Sequence, residues 1–191
     1  MWLDQPEKEL PKNQIPLLRA KAGKTIEANL TGRPLRLHVH FAARRSWPCT
    51  ASGCCLCKRG VAKRYYAYYP VIGREGNVAM VELTSLVEDA LITQMGPDVD
   101  VPYGQIELHR PGGRRNIPCS IQWNESEIYK QTGGGSKNDR KQTTSSTLTE
   151  NEMKEALMRI WKLPKFNGTL SESEYLSKLN IAIELQTKTH S

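Results

Sequence analysis

Short segments that alternate between apolar and polar residues occupy the first two thirds of the chain. In residues 35–41, LRLHVHF, the apolar residues fall on one face of a strand and an arginine and two histidines on the other. We expect the apolar face, Leu35, Leu37, Val39 and Phe41, to be core. Similar runs bounded by turn residues predict further strands at 25–31, 64–72, 78–83, 103–110 and 117–123, the last two forming a hairpin.

Helical spacing of apolar residues appears in two regions. TSLVEDALITQM (84–95) predicts one amphipathic helix, capped by Thr84 or Ser85. Near the C-terminus, Thr149 and Glu152 form a predicted capping box, and a second helix is predicted to open at Ser171. These two helices are too small to build a large core alone. They therefore either dock on the rest of the protein or wait for a partner, and the sequence leaves both options open.

These elements divide the chain into four parts. Residues 1–24 are a polar N-terminal arm, and 25–131 are a mainly β domain with one helix, an OB-like small barrel that carries a zinc subdomain at 38–60. Residues 132–148 have too few large apolar side chains to bury and predict a flexible linker. Residues 149–191 are the helical C-terminal segment. A length of 191 residues suits one domain of ordinary size with this appendage.

Charge changes the range of expected partners. A formal net charge of +7 and a pI near 9.2 favour polyanions. We find no apolar run typical of a signal peptide or a membrane span, so we expect a cytoplasmic protein without a membrane partner. Cytoplasmic thiols stay reduced, and closely spaced cysteines there are more often metal ligands than disulfides.

Four of the five cysteines lie within residues 49–57. Cys54 and Cys57 have the Cys-x-x-Cys spacing of a zinc-binding turn, and Cys49 supplies a third thiolate. The fourth ligand should be a histidine; we favour His40, with His38 and His109 as open alternatives. One intervening residue before Cys57 is poor geometry for two thiolates on one ion, which leaves Cys55 as a spare thiol. Three thiolates and an imidazole form a closed site, so the Zn²⁺ should be structural.

Cations and aromatic residues surround this cluster. Cations can follow a phosphate backbone, and aromatic rings can stack on unpaired bases, so the combination favours single-stranded nucleic acid. Period-two alternation divides the tyrosines of 65–69, and we expect Tyr66 and Tyr68 to be exposed and Tyr65 and Tyr69 to be core. The candidate nucleic-acid contacts are Arg44, Arg45, Trp47, Lys58, Arg59, Lys63, Arg64, Tyr66 and Tyr68, with Arg110, Arg114 and Arg115 in a second basic turn.

The order His, Cys, Cys-x-x-Cys inside a basic, aromatic β domain resembles the zinc-containing helix-destabilising proteins of tailed phages, the single-stranded DNA-binding proteins of T4 type. The resemblance implies an OB-fold, ligation by His40, Cys49, Cys54 and Cys57, and stacking by some of the tyrosines. It also implies a role in phage DNA replication or recombination inside a bacterial host cell. Two features differ from that family: the ligand spacings are shorter, and residues 149–191 carry balanced charge in place of an acidic tail.

We therefore expect a sequence-tolerant single-stranded DNA-binding protein with a possible replication or recombination partner at its C-terminal helices. A stacking surface does not by itself distinguish RNA from DNA. The alternative is a zinc-stabilised protein-interaction module, an inhibitor or adaptor, that uses the basic loop and the helices. We do not expect an enzyme, because the site has no vacant metal position and the sequence has no phosphate-binding loop and no acid beside the metal.

Overall fold

The computed structural model describes residues 14–50, 53–73, 75–96, 103–112, 118–125, 148–163 and 172–188, and in the last range the side chains of 177–185. These ranges contain eight strands and four helices. The strands are β1 Leu17–Leu18, β2 Lys24–Leu30, β3 Leu35–Ala42, β4 Arg45–Pro48, β5 Lys63–Gly73, β6 Val78–Thr84, β7 Gly104–Arg110 and β8 Ser120–Glu125. The helices are α1 Cys55–Lys58, α2 Ser85–Met95, α3 Glu150–Ile160 and α4 Glu172–Lys188.

All six predicted strands and the predicted helix at 84–95 are confirmed, with small shifts at their ends. The sequence did not predict β1, β4 or α1. β1 has two residues and α1 a single turn, so neither is long enough to show a periodicity. β4 contains Pro48, which is tolerated because β4 pairs on one side only, with β3.

Strand β5 organises the sheet because it pairs with three other strands. Its first half, Lys63 to Tyr68, pairs with β3, and its last residues, Val71 to Gly73, pair with β2. On its other edge it pairs with β6. The order is β1-β6-β5-β2-β7-β8, with β3 on β5 and β4 on β3. A mainly β fold is confirmed, but the OB-like barrel is not, because the sheet does not close.

The described part of the N-terminal arm packs on the sheet. Leu17 and Leu18 pair in parallel with Met80 and Val81 of β6, and the Met80 amide donates to the Pro16 carbonyl. Residues 1–13 lie outside the described residues. The arm therefore extends the sheet by one short strand.

Two apolar cores contain the buried hydrophobic residues of the described chain. The first combines β3, β4 and α1 with the C-terminal helices, and it includes Trp47, Leu56 and Tyr68. The second combines α2 with β2, β5, β6, β7 and β8, and it includes Tyr69 and Leu91. Because neighbouring residues of β5 enter different cores, the middle of this strand is buried throughout.

The C-terminal helices dock on the sheet. Thr149 and Glu152 form the predicted capping box at the start of α3, with the Thr149 amide donating to the Glu152 carboxylate over 2.8 Å. Leu157 of α3 and Leu179 and Ile183 of α4 are buried in the first core. Residues 132–147 of the predicted linker lie outside the described residues. None of the four described helices is both long and apolar enough to cross a membrane.

A buried carboxylate fixes α2 against the sheet. Glu88 is 2% exposed and accepts hydrogen bonds from the hydroxyls of Tyr65 (2.6 Å) and Tyr69 (3.0 Å). The Arg36 guanidinium donates to the same carboxylate over 2.8 Å. Burial and the Glu88 charge raise the pKa of Tyr65 to about 12, so its hydroxyl remains a donor at neutral pH.

Replacing Glu88 with alanine should therefore destabilise the protein. The change leaves the buried Tyr69 hydroxyl, the half-buried Tyr65 hydroxyl and one guanidinium without their acceptor. Removing one partner of such a network costs about 3 kcal/mol or more of unfolding free energy. Urea unfolding followed by circular dichroism measures the cost. Asp89→Ala, at an exposed position of the same helix, is the control and should change stability by less than about 0.5 kcal/mol. Similar losses in both variants would contradict the network's role.

Candidate metal centre and basic surface

His40 is positioned as a metal ligand by both of its ring nitrogens. The side chain is 1% exposed at the end of β3. Its Nδ1 lies 3.0 Å from the Val61 carbonyl oxygen, which can only accept a hydrogen bond, so Nδ1 carries the proton. In the neutral ring Nε2 then carries the lone pair and is available to a metal, the arrangement commonly found for metal-binding histidines.

Three thiols converge on this free nitrogen. The sulfurs of Cys54 and Cys57 each lie 3.4 Å from His40 Nε2, and the sulfurs of Cys49 and Cys57 are 3.6 Å apart. All four donor atoms lie within 4.8 Å of one another. Around a tetrahedral zinc ion, neighbouring donors are separated by about 3.8 Å for two sulfurs and about 3.5 Å for nitrogen and sulfur. The cluster therefore has the size and donor chemistry to hold a metal ion such as zinc.

A single helical turn brings the two thiols of the Cys-x-x-Cys sequence together. The Lys58 amide donates to the Cys54 carbonyl over 3.2 Å, which places Cys54 and Cys57 on the same side of α1. Gly60, with φ of 71°, ends the turn in the left-handed region that glycine adopts without strain. The chain then returns to β5, where Lys63 pairs with His40.

The thiols of the cluster differ in how readily they ionise. Burial opposes ionisation of Cys54, but hydrogen bonds from the Cys57, Thr50 and Leu56 backbone outweigh it and lower the pKa of this thiol to about 6. For Cys57, a hydrogen bond with Cys49, burial and the nearby Cys54 charge raise the pKa to about 11. The Cys54 thiolate thus forms readily and the Cys57 thiolate does not, and a bound cation would stabilise the thiolate form of Cys57.

Cys55 lies outside the cluster, as its spacing predicts. Its sulfur points to the Asn180 carbonyl oxygen of α4, 3.8 Å away. Burial and the neighbouring Cys54 charge raise the pKa of Cys55, which favours the neutral thiol. Among the described residues, Cys55 and Cys119 both lie apart from the four clustered side chains.

The two alternative histidines also lie elsewhere. His38 is exposed and packs edge-on against Tyr65, with ring centroids 5.6 Å apart. His109 Nδ1 lies 2.9 Å from the Thr25 hydroxyl on the β2–β7 pair. His40 is therefore the histidine that the fold brings to the thiols.

Asn180 connects the cysteine loop, residues 49–60, to helix α4. Its amide oxygen accepts from the Thr50 hydroxyl at 3.1 Å and lies 3.5 Å from the Cys55 amide nitrogen, and its amide nitrogen donates to the Gly53 carbonyl at 3.2 Å. Leu179 and Ile183, on either side of Asn180, are buried in the core that contains Cys54 and Leu56. The shape of the cysteine loop and the docking of α4 are thus coupled.

The predicted nucleic-acid contacts divide into exposed and buried residues. The exposed ones are Arg44, Lys58, Arg59, Lys63 and Arg64. Arg45 is half-buried and donates to the Lys162 carbonyl over 3.1 Å, and Arg110 donates to the Ala20 carbonyl over 3.3 Å. Arg114 and Arg115 lie outside the described residues. Five cations of the predicted set are thus presented to solvent.

Two predicted aromatic contacts are wrong. Trp47 is fully buried, with its indole nitrogen donating to the Ala42 carbonyl over 3.0 Å. Tyr68 is also fully buried, against Trp161 at a centroid distance of 6.0 Å, and burial together with the nearby Glu82 charge raises its pKa. Tyr66 is half-buried. Alternation failed here because the C-terminal helices cover the face of β5 that we expected to be open.

The structure exposes aromatic surface that we assigned to the core. Tyr65 is half-buried, and its ring borders the exposed His38. Phe41, expected in the core, is 65% exposed, because it lies at the end of β3 opposite Ser46. The sequence did contain one indication that Phe41 is exposed: it lies three residues before Arg44, beside a basic turn.

Comparisons with known proteins do not assign the site. No protein-family model matches the chain, and neither a curated protein nor a solved structure matches it. The ligand assignment therefore rests on the geometry of His40, Cys49, Cys54 and Cys57.

Metal retention should separate the ligands from their neighbours. Cys54→Ser and His40→Ala should each lower metal content after gel filtration at least tenfold, because each removes one of four tetrahedral donors. Cys55→Ser and His38→Ala are the matched controls and should retain the metal. Elemental analysis measures the content, and cobalt substitution should give thiolate-to-cobalt absorption bands in the controls alone. Equal metal content in all four variants would contradict the assignment.

Removing the metal should loosen α4. We expect amide hydrogen exchange in 177–185 to accelerate at least tenfold on chelation, because Asn180 loses the ordered loop that holds it. Asn180→Ala should produce part of this acceleration in the metal-loaded protein. Ser177→Ala, at an exposed position of the same helix, should not. Exchange in α2, which packs in the other core, reports any general unfolding.

Proposed function

We propose that this protein is a zinc-stabilised, sequence-tolerant single-stranded DNA-binding protein. The observation that carries the proposal is the charge of the chain segment that contains the metal cluster. Residues 28–74, which contain all four ligands, include no Asp or Glu. They include nine cations: Arg33, Arg36, Arg44, Arg45, Lys58, Arg59, Lys63, Arg64 and Arg74. Of these, Arg36 is paired with Glu88. A polyanion is the partner that such a segment attracts.

Zinc is the metal that the donors favour. Soft thiolates with one imidazole in tetrahedral arrangement suit zinc better than calcium, magnesium or manganese, which prefer oxygen ligands. Four protein donors leave no position for substrate or water, so the ion's role is structural. When bound, it would hold Lys58 and Arg59 in a defined place directly after Cys57.

One face of β3 and β5 offers a place for bases beside these cations. Cross-strand partners share a face, so His38 and Tyr65 lie on the face that also carries His40 and Lys63. His38 is exposed, and the Tyr65 ring is fixed through its hydroxyl by Glu88. A base stacked on this pair would lie beside Lys63 and the cysteine loop. Tyr65 thus replaces Tyr66 and Tyr68 as the proposed stacking tyrosine.

The resemblance to phage helix-destabilising proteins extends the proposal to DNA replication or recombination of a phage or related mobile element in a bacterial cytoplasm. The structure alters one part of that picture. The C-terminal helices use their apolar faces to dock on their own domain, so a replication or recombination partner would meet their outer faces. RNA remains an alternative ligand for the same surface.

A protein-interaction module is the second candidate, and one observation favours it. Ile181 and Leu185, one turn apart on α4, are 55% and 63% exposed. Two large apolar side chains on the outer face of a docked helix suit contact with another protein. If this candidate is right, the protein binds another protein and has no affinity for nucleic acid.

A titration with oligothymidylate and a matched duplex tests the leading proposal. We expect tighter binding to the single strand and a loss of affinity with rising salt, because bound phosphates release counterions. The double variant Lys63→Ala, Arg64→Ala should bind at least tenfold more weakly at low salt, with a slope of log affinity against log salt reduced by about 1.4. Lys178→Ala, an exposed cation on α4, is the control and should bind like the wild type.

Two outcomes would reject this function. Equal affinity for the duplex and the single strand would indicate general attraction to polyanions. An absence of binding by the metal-loaded protein would favour the protein-interaction candidate.

A further inference from the structure

The turn between β3 and β4 holds two residues in a strained conformation. The strands are joined by Ala43 and Arg44, whose φ angles are 48° and 59°. Positive φ at both central residues is typical of a type I′ turn, where asparagine and glycine are the usual residues. Alanine and arginine adopt this conformation at a cost, which the surrounding structure must offset. The outcome is an arginine at the tip of a tight hairpin.

Contacts at its base hold this hairpin in one position. The Trp47 side chain is buried and donates to the Ala42 carbonyl. Arg45 donates to the Lys162 carbonyl beyond the end of α3, and His40 belongs to the metal cluster. The Trp47 bond thus closes the hairpin internally, while Arg45 and His40 connect it to other parts of the chain.

Phe41 is the exposed aromatic side chain of this hairpin. At 65%, it has the highest exposure of any large apolar side chain among the described residues. Alternation places Phe41 on the same face of β3 as Val39, and Arg64 is the cross-strand partner of Val39. Arg64 is therefore a diagonal neighbour of Phe41 on that face, and Arg44 lies at the turn three residues further along the chain. Both arginines are exposed.

We propose that Phe41 stacks on an unpaired nucleobase, with Arg44 and Arg64 contacting the phosphates on either side. Charge complementarity selects this occupant, because the hairpin lies within the acid-free residues 28–74. An aromatic ring between cations fits a flat base joined to phosphates. The inference rests on the proposed single-stranded DNA binding and adds a stacking position on the face of β3 and β5 opposite the His38–Tyr65 pair.

Three variants and their affinities for oligothymidylate test this role. Phe41→Ala should weaken binding about 5- to 150-fold, the range found for loss of one base–aromatic stack. Phe41→Trp retains a stacking ring and should bind at least as tightly as the wild type. Leu86→Ala is the matched control, since Leu86 is 62% exposed on α2, and it should not change affinity. A cooperative thermal unfolding transition in each of the three variants will show that the variant is folded.

Salt dependence separates stacking from charge. Phe41→Ala should lower affinity without changing the slope of log affinity against log salt, because no phosphate contact is lost. Arg44→Ala should reduce that slope by about 0.7, the value for one phosphate of a single strand. A Phe41→Ala slope that falls as far as the Arg44→Ala slope would overturn the stacking role.

The remaining outcomes distinguish failure of this inference from failure of the proposed function. If the wild type binds oligothymidylate and Phe41→Ala binds equally well, the stacking role is wrong and the function stands. If the wild type binds no single strand, the function itself fails. Binding of the wild type, but not of Phe41→Ala, to vesicles of anionic phospholipid, with no effect of Phe41→Ala on oligothymidylate, would assign the side chain to a membrane surface and reject base stacking.

Discussion

Repulsion between thiolates is the constraint on which this structure depends. The fold brings three cysteine sulfurs and one imidazole nitrogen within 4.8 Å of one another, and the pKa of Cys57 is raised while that of Cys54 is lowered. A divalent cation removes the repulsion and leaves one net negative charge on three thiolates. Lys58 and Arg59, which follow Cys57 directly, lie where they can balance that charge. The basic surface and the metal cluster are thus parts of one electrostatic arrangement.

The sequence predicted the metal cluster well because its determinants are local. Three ligands lie within nine residues, and the fourth is the last histidine before them. Choosing His40 over His38 needed only the distance along β3, and the Val61 carbonyl then fixes the ring. The strands were predicted correctly for a similar reason, because alternation is a property of neighbouring residues.

The sequence failed where burial depends on distant parts of the chain. Tyr68 was assigned to an open face, but Trp161, more than ninety residues later, covers it. Phe41 was assigned to the core because it continues an apolar alternation that the core does not follow to the end of the strand. No local pattern predicts which face of a sheet a later helix will cover. The same limit applies to Asn180, a polar residue whose role depends on a loop from the first third of the chain.

The hydrogen bonds of Asn180 to the cysteine loop link the free energy of metal binding to the free energy of docking α4. Coupling between two equilibria is reciprocal, so any factor by which bound metal favours docking of α4 is also the factor by which docked α4 raises metal affinity. The C-terminal segment therefore contributes to the affinity of a site that contains none of its residues. A protein truncated before α3 would hold its metal more weakly although all four ligands were intact. A contact made by the outer face of α4 could adjust metal retention without touching the ion.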